Sequence, residues 1–292
     1  MKKGLVLEGG AMRGLFTAGV MDVMMEHGIE FDGLIGVSAG SSFGCNYKSR
    51  QPGRVLRYNL KYCKDPRYMG LRSLVTTGDL VGAEFAYHTL PLELDIFDIE
   101  TYESNPMEFY SVSTDVLTAE PVYKRIDKID HAALEWLRAS ASMPGVTRPV
   151  RVDDGRLMLD GGISDSIPLK YFRSIGYDRN IVVLTQPVGY RKSPAPAWLF
   201  RMLLRKYPAV AEAMARRHEM YNAQLDYLSR QVAEGSTLVI APEQPLPIGR
   251  VDTDRTKMRD TYARGRAAAI ASLPRMKDFL DLDFDLNAAK FG

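Results

Sequence analysis

Residues 31–40 read Phe31-Asp32-Gly33-Leu34-Ile35-Gly36-Val37-Ser38-Ala39-Gly40, and this stretch decides the fold. Its first seven residues predict a buried β-strand. Its end is the pattern Gly-x-Ser-x-Gly, set by Gly36, Ser38 and Gly40. A serine on a tight turn from strand to helix has its hydroxyl pushed clear of the sheet. Glycines flank it because side chains there would collide with the neighbouring strand and helix. The helix that follows turns its positive end toward the serine, which favours negative charge developing there. The pentapeptide is weak by itself and gains meaning only between a strand and a helix.

Upstream, the apolar run 4–7 and the pair Gly9-Gly10 read as strand then turn. Residues 12–26 carry Leu15, Val20, Val23 and Met24 on a helical pattern that Gly28 ends. Strand, helix, strand, helix in this order predicts an α/β fold with a parallel sheet and right-handed crossovers. Downstream, residues 107–125 predict two strands, 131–139 a helix, and 145–163 a loop with a short hairpin. Residues 180–185 predict another buried strand. Residues 197–233 read as helix split by Pro208, 237–241 as a last strand and 254–272 as a last helix. No repeat, linker or low-complexity run divides the chain. Residues 1–292 are therefore read as a single domain, with a core over about 4–190 and a helical elaboration over about 196–292.

Two more segments carry chemistry. Glu8-Gly9-Gly10-Ala11-Met12-Arg13-Gly14 lies between the first strand and the first helix. Small or absent side chains there leave backbone N–H groups free to point at an anion, either a phosphate or the oxyanion of an acyl transfer. A dinucleotide loop is excluded because Gly9, Ala11 and Gly14 miss the middle glycine, and a P-loop because no Gly-Lys-Ser/Thr follows. The other segment is Asp160-Gly161-Gly162, after the apolar Leu157-Met158-Leu159; taken alone it is a hairpin turn.

The base that serves the serine separates two enzyme classes. A Ser-Asp-His triad in α/β-hydrolase order needs a histidine after the aspartate. Of His27, His88, His131 and His218, only His218 follows Asp160. It sits in Arg216-Arg217-His218-Glu219, which reads as a solvent-facing helix. A Ser38–Asp160 pair is the better reading, and a Ser-His-Asp esterase using His218 is a rival.

Composition narrows the partners. The 292 residues are 46% hydrophobic and 25% charged, ordinary for a globular chain. A net charge of +2 leaves no nucleic-acid footprint. Cys45 and Cys63 have neither metal nor redox spacing, and no His, Cys and carboxylate cluster shows ligand spacing, so neither metal nor cofactor is expected. The apolar run after Lys2-Lys3 stops at Glu8, far short of a signal core, which fits a cytoplasmic protein. No pattern in the chain sets an oligomeric state.

The three motifs in this order resemble the patatin-like phospholipase family. Further stretches are similar: Ala139-Ser140-Ala141-Ser142-Met143-Pro144 before the aspartate, Ile167-Pro168 after it, and 241–247 near the end. The resemblance implies a three-layer α/β/α fold with a mainly parallel central sheet. It also implies a Ser38–Asp160 dyad and metal-free hydrolysis of a lipid acyl ester. Gly10 and Ala11, with Ala39, would then supply the oxyanion donors, and Arg13 would tie down the loop or meet a substrate phosphate. Two positions depart from the family: Ala11 stands for the third glycine and Ser166 for asparagine. Alanine keeps its N–H, so the loop is expected to work at a negative φ. A lipid- or anion-binding module of the same fold that hydrolyses nothing is the second rival.

Residues 197–218 add one more expectation. Leu199, Met202, Leu203, Val210, Ala213 and Met214 share a face if the pieces around Pro208 are collinear, with Arg201, Arg205 and Arg216 opposite and Trp198 at the edge. That pattern fits a peripheral contact with the inner membrane surface. The plain alternative is a helix packed on the sheet. Lys206 and Arg217 on the apolar face favour the alternative.

Overall fold

Burial alternates along β1 (Lys2–Leu7), and the alternation explains the layers. Leu5 and Leu7 enter one apolar cluster and Val6 enters another, as a pleated strand buried on both faces requires. The same split divides Leu34 from Ile35 and Val37 in β2 (Gly33–Val37), and Ile181 and Val183 from Val182 in β7 (Tyr177–Val183). The first cluster is closed by α1 (Gly14–Glu26), α2 (Ala39–Lys48), α3 (Arg54–Tyr62), α6 (His131–Ser140) and α10 (Arg255–Leu280). The second is closed by α7 (Leu169–Ser174) and α9 (Pro208–Ala233). The result is a three-layer α/β/α sandwich, seen in a computed structural model that describes residues 1–68 and 82–282.

The sheet runs in the order β5-β6-β3-β2-β1-β7-β8, with β4 also on β3. β8 (Thr237–Ile240), β7, β1, β2 and β3 (Glu108–Asp115) are parallel. β4 (Pro121–Arg125) and β6 (Leu157–Asp160) are antiparallel to β3, and β5 (Val150–Arg151) is antiparallel to β6. The sheet is thus mixed, parallel through its middle and antiparallel at one end. β4 pairs along residues 110–114 and takes one edge of β3. The other edge is shared: β2 holds residues 108–112 and β6 holds 113–115.

Several elements differ from the sequence reading. The last helix runs to Leu280 rather than 272 and accommodates Pro274 inside it. Its start is fixed by Asp254, whose carboxylate accepts from the Thr256 and Lys257 N–H groups. The segments α3, α4 (a π-helix, Phe85–Leu94), α5 (Ile99–Ser104) and α7 were not anticipated. The predicted helical region beyond 282 lies outside the described residues. Pro208 does split the helical stretch, leaving α8 (Ala197–Leu203) before it and standing itself at the first turn of α9.

Candidate active site

Ser38 ends β2 and opens α2 at φ 55° and ψ −122°, a conformation rare for any residue with a Cβ. The turn is tight enough to need its glycines. A Cβ on Gly36 would stand 2.4 Å from the Gly40 carbonyl oxygen, and one on Gly40 would stand 2.5 Å from that of Leu7. The Ser38 N–H donates to Ser140 Oγ at 3.0 Å, and that hydroxyl donates to the Val112 carbonyl at 2.6 Å. Ser140, which belongs to no catalytic motif in the sequence, thereby pins the turn to α6 and β3.

Asp160 is 6% exposed. Its Oδ1 accepts from the Gly162 N–H at 2.8 Å, and it lines the same cavity as Ser38. Burial pushes its pKa up from the ordinary aspartate value. The Ser38 hydroxyl, the Gly162 N–H, Arg217 and Arg250 pull it back. Its backbone is fixed twice, by its N–H on the Ser142 carbonyl at 2.8 Å and by Thr114 Oγ1 on its own carbonyl at 2.8 Å. Gly161 packs against β3, where a Cβ would meet the Val112 carbonyl oxygen at 2.3 Å.

The glycine-rich loop corrects one expectation. Ala11 adopts φ 49°, not a negative value. It sits where the family's third glycine would be unstrained. Neither the Gly10 nor the Ala11 N–H donates to an acceptor among the described residues. Arg13 Nε points back to the Gly10 carbonyl at 3.5 Å, the tie-down alternative. Glu8 is buried and carries a role the sequence did not reveal. Its carboxylate accepts from the Thr185 N–H at 2.6 Å and from the Tyr221 hydroxyl at 2.6 Å, locking the loop to the end of β7 and to α9.

Two cavities meet at Ser38. One, of about 380 Å³, is mainly apolar, bounded by Phe43, Tyr58, Leu90, Leu134 and Leu137, with Arg54 and Arg250 also on its wall. The other, of about 70 Å³, is polar and lined by Glu8, Asp160, Arg13, Lys192, Arg217 and Arg250. The glycine loop, from Ala11, borders both.

Arg217 overturns the solvent-facing reading of its helix. It points inward and donates to the Gly162 carbonyl and, at 3.3 Å, to Ser166 Oγ. Ser166 in turn donates to the same carbonyl at 2.9 Å, so the departure from asparagine still ties the aspartate loop. His218 lines neither cavity, and its Nδ1 is buried with no hydrogen-bond partner among the described residues.

Residues 197–218 also differ from expectation. α8 folds back on α9, and Arg201 pairs with Glu212 at 2.9 Å, so the two pieces are not collinear. Val210, Ala213 and Met214 join a cluster with Leu204, while Trp198, Met202 and Leu203 stay exposed. No helix among the described residues is long and apolar enough to cross a membrane. A ligand-type cluster does exist away from Ser38. Atoms of His88, His131 and Glu135 lie within 4.8 Å of one another, because α4 brings His88 to a His–Glu pair one turn apart on α6. His88 Nε2 lies 3.0 Å from Glu135 Oε1, and the histidine rings stack.

Two segments of the chain match known families. Residues 5–173 match the patatin-like phospholipase family, and residues 207–281 match a domain of unknown function, DUF6363. The uncharacterized protein YjjU of Escherichia coli is 32% identical over 211 residues, covering 68% of this chain and 55% of that protein. The uncharacterized NTE family protein Rv1063c of Mycobacterium tuberculosis is 29% identical over 221 residues, 73% of this chain and 58% of the other. Lysophospholipase nte1 of Aspergillus oryzae is 28% identical over 191 residues, 64% of this chain and 12% of the other. The chain spans little more than half the length of the two bacterial relatives and a small part of the fungal one. With all three motifs inside a match that covers more than half of its length, the chain belongs to the patatin-like phospholipase family.

Proposed function

We propose that this protein is a serine lipid acyl hydrolase, with Ser38 as nucleophile and Asp160 as general base. The observation that carries the proposal is the position of Ser38, which lines an apolar cavity of about 380 Å³ and shares a second cavity with the buried carboxylate of Asp160. Such a cavity suits an acyl chain, and its junction with a polar cavity suits an ester bond.

The steps follow from the geometry. Ser38 Oγ attacks the ester carbonyl and its proton passes to Asp160. The Gly10 and Ala11 N–H groups receive the oxyanion, helped by the positive end of α2. The intermediate collapses, the C–O bond to the alcohol breaks, and Asp160 returns the proton to the leaving oxygen. Water then gives a proton to Asp160 and attacks the acyl-enzyme. As the Ser38–acyl bond breaks, Asp160 gives that proton to the Ser38 oxygen, which restores the hydroxyl and releases the fatty acid. Burial supports Asp160 in this role, since a raised pKa makes a carboxylate a better base.

Labelling with a fluorophosphonate tests the proposal. Covalent modification that maps to Ser38 and disappears in Ser38→Ala is expected. A folded wild-type protein that takes no label would instead be the binding module that hydrolyses nothing.

A further inference from the structure

We propose that the polar cavity beside Ser38 is a headgroup site for a phosphate-bearing lipid ester, formed by Lys192, Arg217 and Arg250. This inference deepens the hydrolase proposal and rests on it.

Charge is the first observation. Arg13, Lys192, Arg217 and Arg250 line a cavity of about 70 Å³ whose only lining carboxylates are Glu8 and Asp160. Glu8 is hydrogen-bonded to Thr185 and Tyr221, and Asp160 to the Gly162 N–H. Among the described residues, Lys192, Arg217 and Arg250 form no ion pair. Crowding cations into a part-buried cavity is unfavourable, and the cost shows on the side chains themselves. Burial and the neighbouring Arg217 and Arg250 pull the Lys192 ammonium down to about 8, and burial also lowers Arg217. An anion with several acceptor oxygens relieves that repulsion and meets the planar forks of the arginines.

Construction is the second observation. The Lys192 backbone is clamped to α9 at both polar groups. Its N–H donates to Asn222 Oδ1 at 2.9 Å, and its carbonyl accepts from Asn222 Nδ2 at 3.0 Å. Its ammonium lies 4.7 Å from the centre of the Tyr221 ring, and that tyrosine donates to Glu8. Arg217 is held by the aspartate loop through the Gly162 carbonyl. Arg250 is tethered near the oxyanion loop, its carbonyl accepting from the Met12 N–H at 3.3 Å. Three cations from separate parts of the chain are each fixed to a part of the catalytic apparatus.

Position is the third. The apolar and cationic cavities adjoin at Ser38, and Ala11, Met143 and Arg250 line both. An ester with its acyl chain in the first places its alcohol, and any phosphate on it, in the second. All three cations lie beyond residues 5–173, and two lie within 207–281, the segment of unknown function. That segment thereby acquires a role in selecting the alcohol side of the substrate.

The test compares oleoyl glycerophosphate with monooleoylglycerol, in the same neutral detergent micelles, on the full chain. The phosphate ester is expected to be favoured by about tenfold or more in kcat/KM, equivalent to one good charged contact. Lys192→Met with Arg250→Met should remove most of that preference, lowering turnover of the phosphate ester about tenfold more than turnover of the neutral ester. Equal turnover of the two esters by the wild type overturns the headgroup site, as does an equal loss on both in the variant. Absence of labelling in the wild type is a failure of the hydrolase proposal instead. The headgroup site is then read from calorimetric binding of the same pair to Ser38→Ala, where equal affinity overturns it. Inorganic phosphate provides the last arm. Competition against both esters without discrimination between them assigns the cavity to free phosphate and overturns the lipid headgroup.

Discussion

Asp160 takes up the register of β3 where Ser38 leaves it: Val37 pairs with Val112, and Asp160 pairs with the next residue, Ser113. Because β4 occupies the opposite edge, β2 and β6 must meet end to end on the same edge. The serine that turns away from β2 therefore faces the aspartate that ends β6. Backbone ladders, not a flexible loop, set the spacing of the two groups.

Removal of Ser38 is accordingly expected to be far more damaging than removal of His218. Ser38→Ala should lower turnover of a p-nitrophenyl acyl ester by about a thousandfold or more, with circular dichroism unchanged. His218→Ala should cost less than about tenfold, since a general base contributes about a hundredfold or more. A larger loss in His218→Ala would restore the triad.

As the proposed general base, Asp160 must be ionised to accept the serine proton. Its pKa is raised by burial, so the acid limb of kcat/KM should have its midpoint above the value of about 3.9 for a free aspartate. Arg217 stabilises the carboxylate, and Arg217→Met should move that midpoint to still higher pH. Asp160→Asn should lose about a hundredfold or more at all pH values. A limb that stays fixed in Arg217→Met would show that another group titrates.

Ala11 stands in the left-handed region at φ 49°. An L-residue there costs about 1–2 kcal/mol, and glycine avoids this while adding freedom to the unfolded chain. Ala11→Gly should raise stability by about 0.5–1 kcal/mol and keep turnover, because its N–H is unchanged. Urea unfolding of both proteins measures it, and a destabilised Ala11→Gly would mean that the alanine methyl contributes packing that outweighs the strain.

The parts of the fold legible in the sequence are those with short-range causes. β1, β2 and the turn at Ser38 declare themselves through apolar runs that end in glycine, and Gly28 ends α1 at φ 63°. The helix α3 was illegible because its buried stripe contains Arg54 and Asn59 beside Val55, Tyr58 and Tyr62. Arg54 can be buried because Asp95, forty-one residues on, meets it at 3.2 Å and Asn46 Oδ1 accepts from it at 2.7 Å. The site divides the same way. Ser38 and Asp160 sit in local motifs, whereas Lys192, Arg217 and Arg250 carry no motif and converge only through the packing of α9 and the loop before α10. Periodicity placed Arg217 on the apolar side of its helix, but nothing local says that a glycine carbonyl awaits it.

α8 offers a surface contact of its own. None of its residues is buried, and Trp198 is 66% exposed, with Met202 and Leu203 exposed beside it. Arg201 and Arg205 flank this group, and anionic lipid adds about 1 kcal/mol for each basic residue near the surface. Vesicles containing phosphatidylserine should co-sediment the protein at low salt, and Trp198→Ser with Leu203→Ser should abolish this without changing turnover of a soluble ester. Equal sedimentation of both proteins would place the contact elsewhere.

A buried carboxylate far from Ser38 contributes to the pH response of stability. Asp22 on α1 is 2% exposed, and its Oδ2 accepts from the Gly53 N–H at 2.8 Å and the Tyr262 hydroxyl at 2.6 Å. Through these bonds it joins α1 to α3 and α10. Burial pushes its pKa from 3.8 to about 6, against the two hydrogen bonds and Arg266. Below 3.8 both folded and unfolded chains hold the proton, and this group gives no slope. Between 3.8 and about 6 the folded chain keeps a proton that the unfolded chain releases, so stability falls as pH rises. Above that window the folded state carries the whole cost, about 2–3 kcal/mol at about 1.4 kcal/mol per pH unit. Asp22→Asn keeps an oxygen that can accept both hydrogen bonds and cannot ionise. Its stability relative to wild type should therefore rise by about 2 kcal/mol between about pH 4 and about pH 7. Urea unfolding at the two pH values measures the difference directly. A constant offset between the proteins would mean that Asp22 ionises no less readily folded than unfolded.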